Sequence, residues 1–172
     1  MKICIVGHSG SGKSTLAKNL ASYYNIPVLH MDAYQFLPGW KARDKEEFKN
    51  IVADFLNEND DWVIDGNYLR ITPERFQLAD MIIYLDFNRF FCLKSIISRY
   101  RKYKGKTRND MAEGCLEKLD FEFIKWVLFK GRSKAKKQYF SDLISNADIG
   151  LIFKNRRQLV NYLRSFNIDY EI

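Results

Sequence analysis

With 172 residues, 47% of them hydrophobic and 28% charged, the chain suits one globular domain with a substantial core. No apolar run approaches the roughly 18–20 residues of a membrane span, the first residues do not form a secretory signal, and Cys4, Cys92 and Cys115 have neither disulfide-framework nor zinc-ligand spacing, so a cytoplasmic protein with no membrane partner is expected. The net charge of +7 is uneven: Arg99–Lys137 holds thirteen Lys/Arg against five Asp/Glu, an excess that attracts nucleotide phosphates or nucleic acid, or forms a solvated helix surface.

Strand and helix patterns alternate along the chain. Lys2–Val6 reads as a buried strand, followed by a helix over Lys13–Tyr23 and a short strand over Pro27–His30. Lys45–Asn57 has helical spacing through Phe48, Ile51, Val52, Phe55 and Leu56, with Asp44 as N-cap. Trp62–Asp65 and Met81–Asp86 are compact apolar runs that end in aspartate. Helices are predicted over Phe90–Tyr103, Leu116–Phe129 and Lys134–Ser145, with a polar loop over Gly105–Gly114. A last strand, Ile149–Phe153, precedes a helix over Arg156–Phe166. Five short apolar strands separated by helices predict an α/β fold: a five-stranded parallel sheet with helices on both faces. In such sheets ligands bind beyond the carboxyl ends of the strands, where Gly7, Met31, Asp65 and Asp86 fall.

Gly7–Ser14, GHSGSGKS, fits G-x-x-x-x-G-K-[ST] at every fixed position, between a strand and a helix. Glycines let the backbone turn several N–H groups toward one anion, and the helix start adds its positive dipole end. Gly7, Gly10, Ser11, Gly12, Lys13, Ser14 and Thr15 are therefore expected to hold nucleotide phosphates, with Lys13 at the β- and γ-phosphates and the Ser14 hydroxyl on Mg²⁺. No N-K-x-D guanine-reading motif occurs, so ATP is expected, its adenine near Lys154–Arg157 with Arg156 beside it. Asp65 and Asp86 compete as the acidic partner of the metal. Asp65 precedes Gly66, which lets backbone approach a ligand, whereas Asp86 precedes a helix and suits its start; Asp65 is favoured.

The P-loop, VIDGNYLR (Val63–Arg70) and an arginine-rich helix end before a polar loop resemble the adenylate-kinase-like P-loop kinases. MDAYQFLPGW (Met31–Trp40), the DGNY step and DMAEGCLEKLDFEFIKWV (Asp110–Val127) resemble one group among them, the DNA topology modulation proteins, over nearly the whole chain. The resemblance implies one P-loop kinase-like domain over 1–172. It would be a phosphotransferase moving the γ-phosphoryl of Mg·ATP to a nucleotide or another small acceptor, with a monomer expected.

The resemblance also implies roles. Asp65-Gly66 matches the magnesium-linked acid of the family's Asp-Gly-Phe-Pro-Arg step. Arg70 lies one position beyond the family's phosphate-binding arginine, and the proline is absent. Asp32 follows the second strand, where related kinases place an acceptor-side aspartate; it reads equally as a base for an acceptor hydroxyl and as a loop-start aspartate satisfied by backbone amides. Arg43 is a further acceptor-site candidate. Arg99, Arg101 and Arg108 flank the polar segment as lid arginines do, so Lys102–Cys115 is expected to close over ATP, exclude water and stabilise transition-state charge.

Other features are weighed without a site role. Phe121, Phe123, Trp126 and Phe129 are expected to pack in the core. His30 is expected to be structural, His8 occupies a variable P-loop position, and Cys115 is expected near the lid surface. Trp40 sits close to the expected acceptor site. The competing reading is an ATP-switched regulator acting on DNA topology through the basic Arg99–Lys137 segment. It lacks any helix-turn-helix, zinc finger or other reading motif.

Overall fold

A computed structural model describes residues 1–168. In chain order its elements are β1 (Lys2–Gly7), α1 (Lys13–Tyr24), β2 (Val28–His30), α2 (Met31–Gln35), β3 (Phe36–Leu37), β4 (Lys41–Ala42), α3 (Lys45–Glu58), β5 (Trp62–Asp65), α4 (Glu74–Leu78), β6 (Met81–Leu85), α5 (Arg89–Tyr103), α6 (Phe121–Leu128), α7 (Lys134–Ser145), β7 (Ile149–Phe153) and α8 (Arg156–Arg164).

Five strands form one parallel sheet in the order β2-β5-β1-β6-β7. Central β1 sets Ile3 between Val63 and Met81, and ends with Gly7 beside Leu85. Side chains alternate across the sheet, so both faces are apolar. Ile3, Ile5, Val63, Ile83 and Leu85 pack with Leu16 and Leu20 of α1, Cys92 and Ile96 of α5, Val127 of α6 and Leu159 of α8. Cys4, Val6, Leu29, Ile64 and Ile82 pack on the other side with Phe48 and Val52 of α3, Phe76 of α4 and Phe140 and Ile144 of α7. Each large side chain so buried is worth about 1.5–3 kcal/mol. The predicted five-stranded parallel sheet with helices on both faces is the observed one.

Caps explain the boundaries. The Asp44 side chain accepts from the Glu46 and Glu47 N–H groups at the start of α3, as its position predicts. Asn25, in the left-handed conformation, stops α1 by donating its N–H to Ala21 and Ser22. The helix predicted over Leu116–Phe129 begins only at Phe121, because Asp120 caps it by accepting from Phe123 N–H. Before it the chain is irregular, with Lys104 and Glu117 bridged. The predicted last helix ends early, at Arg164. Helix α2, helix α4 and the β3–β4 hairpin are not in the sequence expectation; each is five residues or fewer per element, too short for a periodic signal. No helix among the described residues is long and apolar enough to cross a membrane.

Candidate active site

The P-loop leaves β1 and enters α1 at the carboxyl edge of the sheet. No side chain caps α1: its N-cap is Gly12, with φ 91°. The first-turn amides therefore face an open, electropositive concavity. Gly10 has φ 78°, and a Cβ there would lie 2.5 Å from the Cys92 carbonyl oxygen on α5. Gly10→Ala is accordingly expected to distort the loop: nucleotide binding should fall at least about tenfold and the melting temperature should drop, since left-handed strain and overpacking cost about 1–3 kcal/mol each. Isothermal titration with ATP and a thermal melt check both. The buried Ser11 hydroxyl has no hydrogen-bond partner among the described residues, which suits an occupant in this cradle. Lys13 is half-buried, with Nζ donating to the His8 carbonyl at 3.2 Å, and desolvation lowers its pKa.

Ser14 and Asp65 converge from α1 and β5, the hydroxyl donating to Asp65 Oδ2 at 2.9 Å. Two oxygen donors so placed beside a phosphate cradle fit a magnesium ion that keeps waters and phosphate oxygens as its other ligands. His30 Nδ1 hydrogen-bonds the other Asp65 oxygen, so this histidine, expected to be merely structural, orients the acid. Gly66, at φ 149°, passes so close to Met31 that a Cβ would sit 2.7 Å from its Cβ. Asn67 then clamps the start of the P-loop: its Oδ1 accepts from Gly7 N–H at 2.9 Å and its Nδ2 donates to Gly7 O at 2.6 Å. The DGNY step thus holds the loop as well as the acid, a role the sequence reading missed.

Asp86 does not start α5; Asn88 does, its side chain accepting from Phe90 N–H. Asp86 instead gathers His8 Nε2 at 3.1 Å, Tyr84 Oη at 3.2 Å, Lys154 Nζ at 2.6 Å and Lys137 Nζ at 3.6 Å. Lys154 of the predicted adenine region is thereby committed to a carboxylate. His8 is held down to about 4, first by burial and then by the Arg132 and Lys13 charges, against the pull of Asp86. A histidine whose folded pKa lies below the ordinary 6.5 binds fewer protons folded than unfolded, so stability is lost as pH falls below 6.5. A loss of about 2 kcal/mol between pH 7 and pH 5 is expected from this residue. It reads as a lower urea midpoint at pH 5, and His8→Gln should flatten the difference.

Two cavities meet at the P-loop. One, of about 620 Å³, runs along Gly10–Thr15 and α5 to Arg156. The other, of about 820 Å³, lies between the β3–β4 hairpin, the 66–69 turn and α6. Both are bordered by Ser9, Lys13, Asp32, Arg99 and Arg108. Asp32 Oδ1 accepts from Tyr68 Oη at 2.6 Å, so a tyrosine hydroxyl rather than backbone amides satisfies it. Arg99 and Arg108 share one buried carboxylate: Glu117, its side chain 3% exposed, lies 2.8 Å from Arg99 Nε through Oε1 and 2.8 Å from Arg108 Nε through Oε2. Arg108 also pairs with Asp110 at 2.9 Å. Sequence reading missed Glu117, which stands among other acids, Glu113, Asp120 and Glu122, and carries no local signal.

Three predicted site arginines are not brought to either cavity. Arg101, one turn-face away from Arg99 on α5, is exposed. Arg43 spends its guanidinium on the Tyr34 carbonyl, at 2.7 Å, and on Glu47. Arg70 is exposed. The arginine that does serve this turn is Arg75, fully buried, donating to the carbonyls of Gly66, Tyr68, Ile71 and Thr72. It holds the loop that follows Asp65.

The predicted lid segment is fastened to the hairpin opposite. Gly39 N–H donates to Gly114 O at 3.2 Å, Cys115 Sγ to Leu37 O at 3.2 Å, and Trp40 Nε1 to Leu116 O at 2.8 Å. Cys115, expected near the surface, is buried by this contact. The α6 aromatics also depart from expectation. Phe123 and Trp126 are partly buried against the core, but Phe121 is 68% and Phe129 62% exposed, because the short helix turns only one side to α5 and the core.

The sheet order, the strand–loop–helix cradle and its convergent acid decide the architecture. The fold is P-loop NTPase-like. A profile of the ATPase family associated with various cellular activities (AAA) matches residues 3–64, the part that contains this cradle. No curated protein sequence matches the chain. Among solved structures, deoxyadenosine kinase from M. mycoides is similar with a TM-score of 0.56 at 14% identity, over 97% of this chain and 98% of that one. Shikimate kinase from Bacteroides thetaiotaomicron is similar with a TM-score of 0.50 at 16% identity, over 96% of this chain and 95% of that one. At such identity the likeness speaks for the P-loop fold alone.

Proposed function

We propose that this P-loop protein is an ATP-dependent phosphotransferase acting on a hydroxyl acceptor. The observation that carries the reading is the meeting of two cavities at Lys13, Asp32, Arg99 and Arg108. A simple nucleotide hydrolase needs only one cavity; a transferase needs donor and acceptor sites that touch at the phosphoryl group. That two similar folds are named as kinases agrees with it.

In this reading Gly7, Gly10–Thr15 and Arg156 hold ATP in the smaller cavity, which ends at Arg156 as the adenine placement requires. Ser14 and Asp65 hold Mg²⁺, which when bound neutralises phosphate charge. Lys13, Arg99 and Arg108 stabilise charge on the moving phosphoryl group. Asp32 takes the proton of the acceptor hydroxyl, with Tyr68 fixing its orientation. The Lys102–Cys115 segment, pinned to the hairpin, excludes water from the junction. Motif likeness supports a place in the DNA topology modulation group, and a monomer is the proposed state.

ADP release from Mg·ATP, measured with and without a panel of nucleosides, nucleotides and small hydroxyl metabolites, tests the reading. A strong stimulation by one acceptor class is expected. Turnover unchanged by every acceptor, at the rate seen with water alone, would overturn it.

A further inference from the structure

The larger cavity is built unlike a pocket for a small polar acceptor. Phe36, Trp40 and Tyr68 line one wall and Phe121, Phe123 and Trp126 the other. Lysines are set among the rings: Lys118 lies 5.4 Å from the Trp40 ring centroid, Lys125 4.4 Å from that of Phe121, and Lys136 5.6 Å from that of Trp126. With Lys130 these form a second cationic group at the mouth, apart from Lys13, Arg99 and Arg108 at the junction. Asp120 and Glu122 lie among them, leaving the mouth basic.

The pattern continues outside the cavity. Phe121, Lys125 and Phe129 follow at four-residue steps on α6 and its C-cap, the spacing that aligns side chains in one stripe. At 1.5 Å per residue the two exposed rings stand about 12 Å apart. Arg89 of α5 lies 5.7 Å from the Phe129 centroid, putting a further cation at the far end. Phe121 and Phe129 thus stand well exposed, with cations between and beyond them. A ligand confined to the cavity meets Phe121 and Lys125 but leaves Phe129 and Arg89 uncovered.

We propose that the acceptor is the hydroxyl end of a single-stranded polynucleotide, its terminal residue in the larger cavity and its following bases and phosphates on the Phe121–Phe129 stripe. Alternating rings and cations are the means by which proteins hold single strands without reading sequence: bases stack on rings and phosphates meet cations. An acidic peptide would satisfy the lysines but not the exposed rings. The inference rests on the phosphotransferase reading. The terminal 5′-hydroxyl oxygen forms a new bond to the γ-phosphorus, the bond from that phosphorus to the ADP oxygen breaks with its electron pair leaving on ADP, and the hydroxyl proton passes to Asp32.

The test uses the full chain with a 3′-fluorescein thymidine octanucleotide bearing a free 5′ hydroxyl, alongside thymidine, thymidine monophosphate and polyglutamate. Anisotropy gives binding across a salt series, and labelled γ-phosphate from ATP gives transfer. The octanucleotide is expected to bind at least about tenfold more tightly than the mononucleotide, with a salt slope steeper than about −1.4, the value for two neutralised phosphates on a single strand. It is also expected to accept phosphate. Phe129→Ala, at an exposed ring whose loss does not touch the core, is expected to weaken the octanucleotide about tenfold and leave the mononucleotide unchanged. Transfer to thymidine or its monophosphate as efficient as to the octanucleotide, or polyglutamate binding as tightly, overturns the proposal and leaves the phosphotransferase reading standing. Octanucleotide binding with transfer to no acceptor overturns both.

Discussion

Lys13→Ala is expected to abolish phosphoryl transfer, by at least about 10³-fold in kcat, without lowering the melting temperature. The two halves of this expectation come from the same geometry. Lys13 sits where both cavities meet, and a cation aimed at charge that grows in the transition state is worth about 10²–10⁵ in rate. It is nonetheless a poor contributor to stability. Burial lowers its pKa, so the folded state holds a desolvated cation at a cost. Its one hydrogen-bond acceptor, the His8 carbonyl, also accepts from Ser11 N–H at 3.1 Å and stays satisfied when the lysine is gone. Removing such a group is neutral or stabilising, the usual trade at a functional position. Steady-state ADP release and a thermal melt on the same preparation decide the matter. A variant with near-normal turnover would remove the lysine from the mechanism, whereas a large drop in melting temperature would contradict the burial argument.

Glu117→Ala is expected to have the largest structural effect of any single change near the site. The carboxylate is almost wholly buried and holds two guanidinium groups, one on each oxygen. Taking it away leaves Arg99 without its carboxylate partner and Arg108 with Asp110 alone, in surroundings where burial, and next the Arg108 charge, already lower the pKa of Arg99. Removing one member of a buried ionic group costs about 3 kcal/mol or more, which for a domain of this size corresponds to a melting temperature lower by about 6–12 °C. Activity should fall as well, in kcat more than in KM, because the arginines lose their common anchor. Glu117→Gln keeps the shape and one acceptor, and is expected to lose less stability than the alanine variant. A double-mutant cycle with Arg108→Met should show an interaction energy above about 0.5 kcal/mol. An unchanged melting temperature in Glu117→Ala would show that solvent, and not this carboxylate, compensates the two arginines.

The same pairing bears on the proposed lid. Glu117 follows Leu116 and Cys115, whose backbone and thiol grip the hairpin that carries Trp40. The phosphate-side arginines and the acceptor-side hairpin are therefore joined through three consecutive residues. A ligand that moves Trp40 moves the anchor of Arg99 and Arg108 with it.

Local chemistry was legible in the amino-acid sequence wherever cause and effect lie close along the chain. A glycine-rich turn between an apolar run and a helix needs only neighbouring residues to be read, and Gly10, Gly12, Lys13 and Ser14 stand where that reading puts them. The alternation of apolar runs and helical stripes likewise specified the parallel sheet, because a strand buried on both faces must be apolar throughout. The glycine beside Asp65 favours it over Asp86 in the sequence, and the fold sets it 2.9 Å from the Ser14 hydroxyl. What lay beyond the sequence depends on distant pairs. Nothing local shows that Glu117 meets Arg99, that Asp86 collects Lys137 and Lys154, or that Arg75 rather than Arg70 holds the turn after Asp65. Nor does an aromatic stripe announce which of its rings will be covered: Phe123 and Trp126 found the core, whereas Phe121 and Phe129 found solvent. Sequence by itself determined the phosphate cradle and the sheet, because backbone conformation and burial periodicity are short-range properties. Only the tertiary structure decided which charges pair and which rings are exposed, because those follow from packing elements that are far apart in the chain.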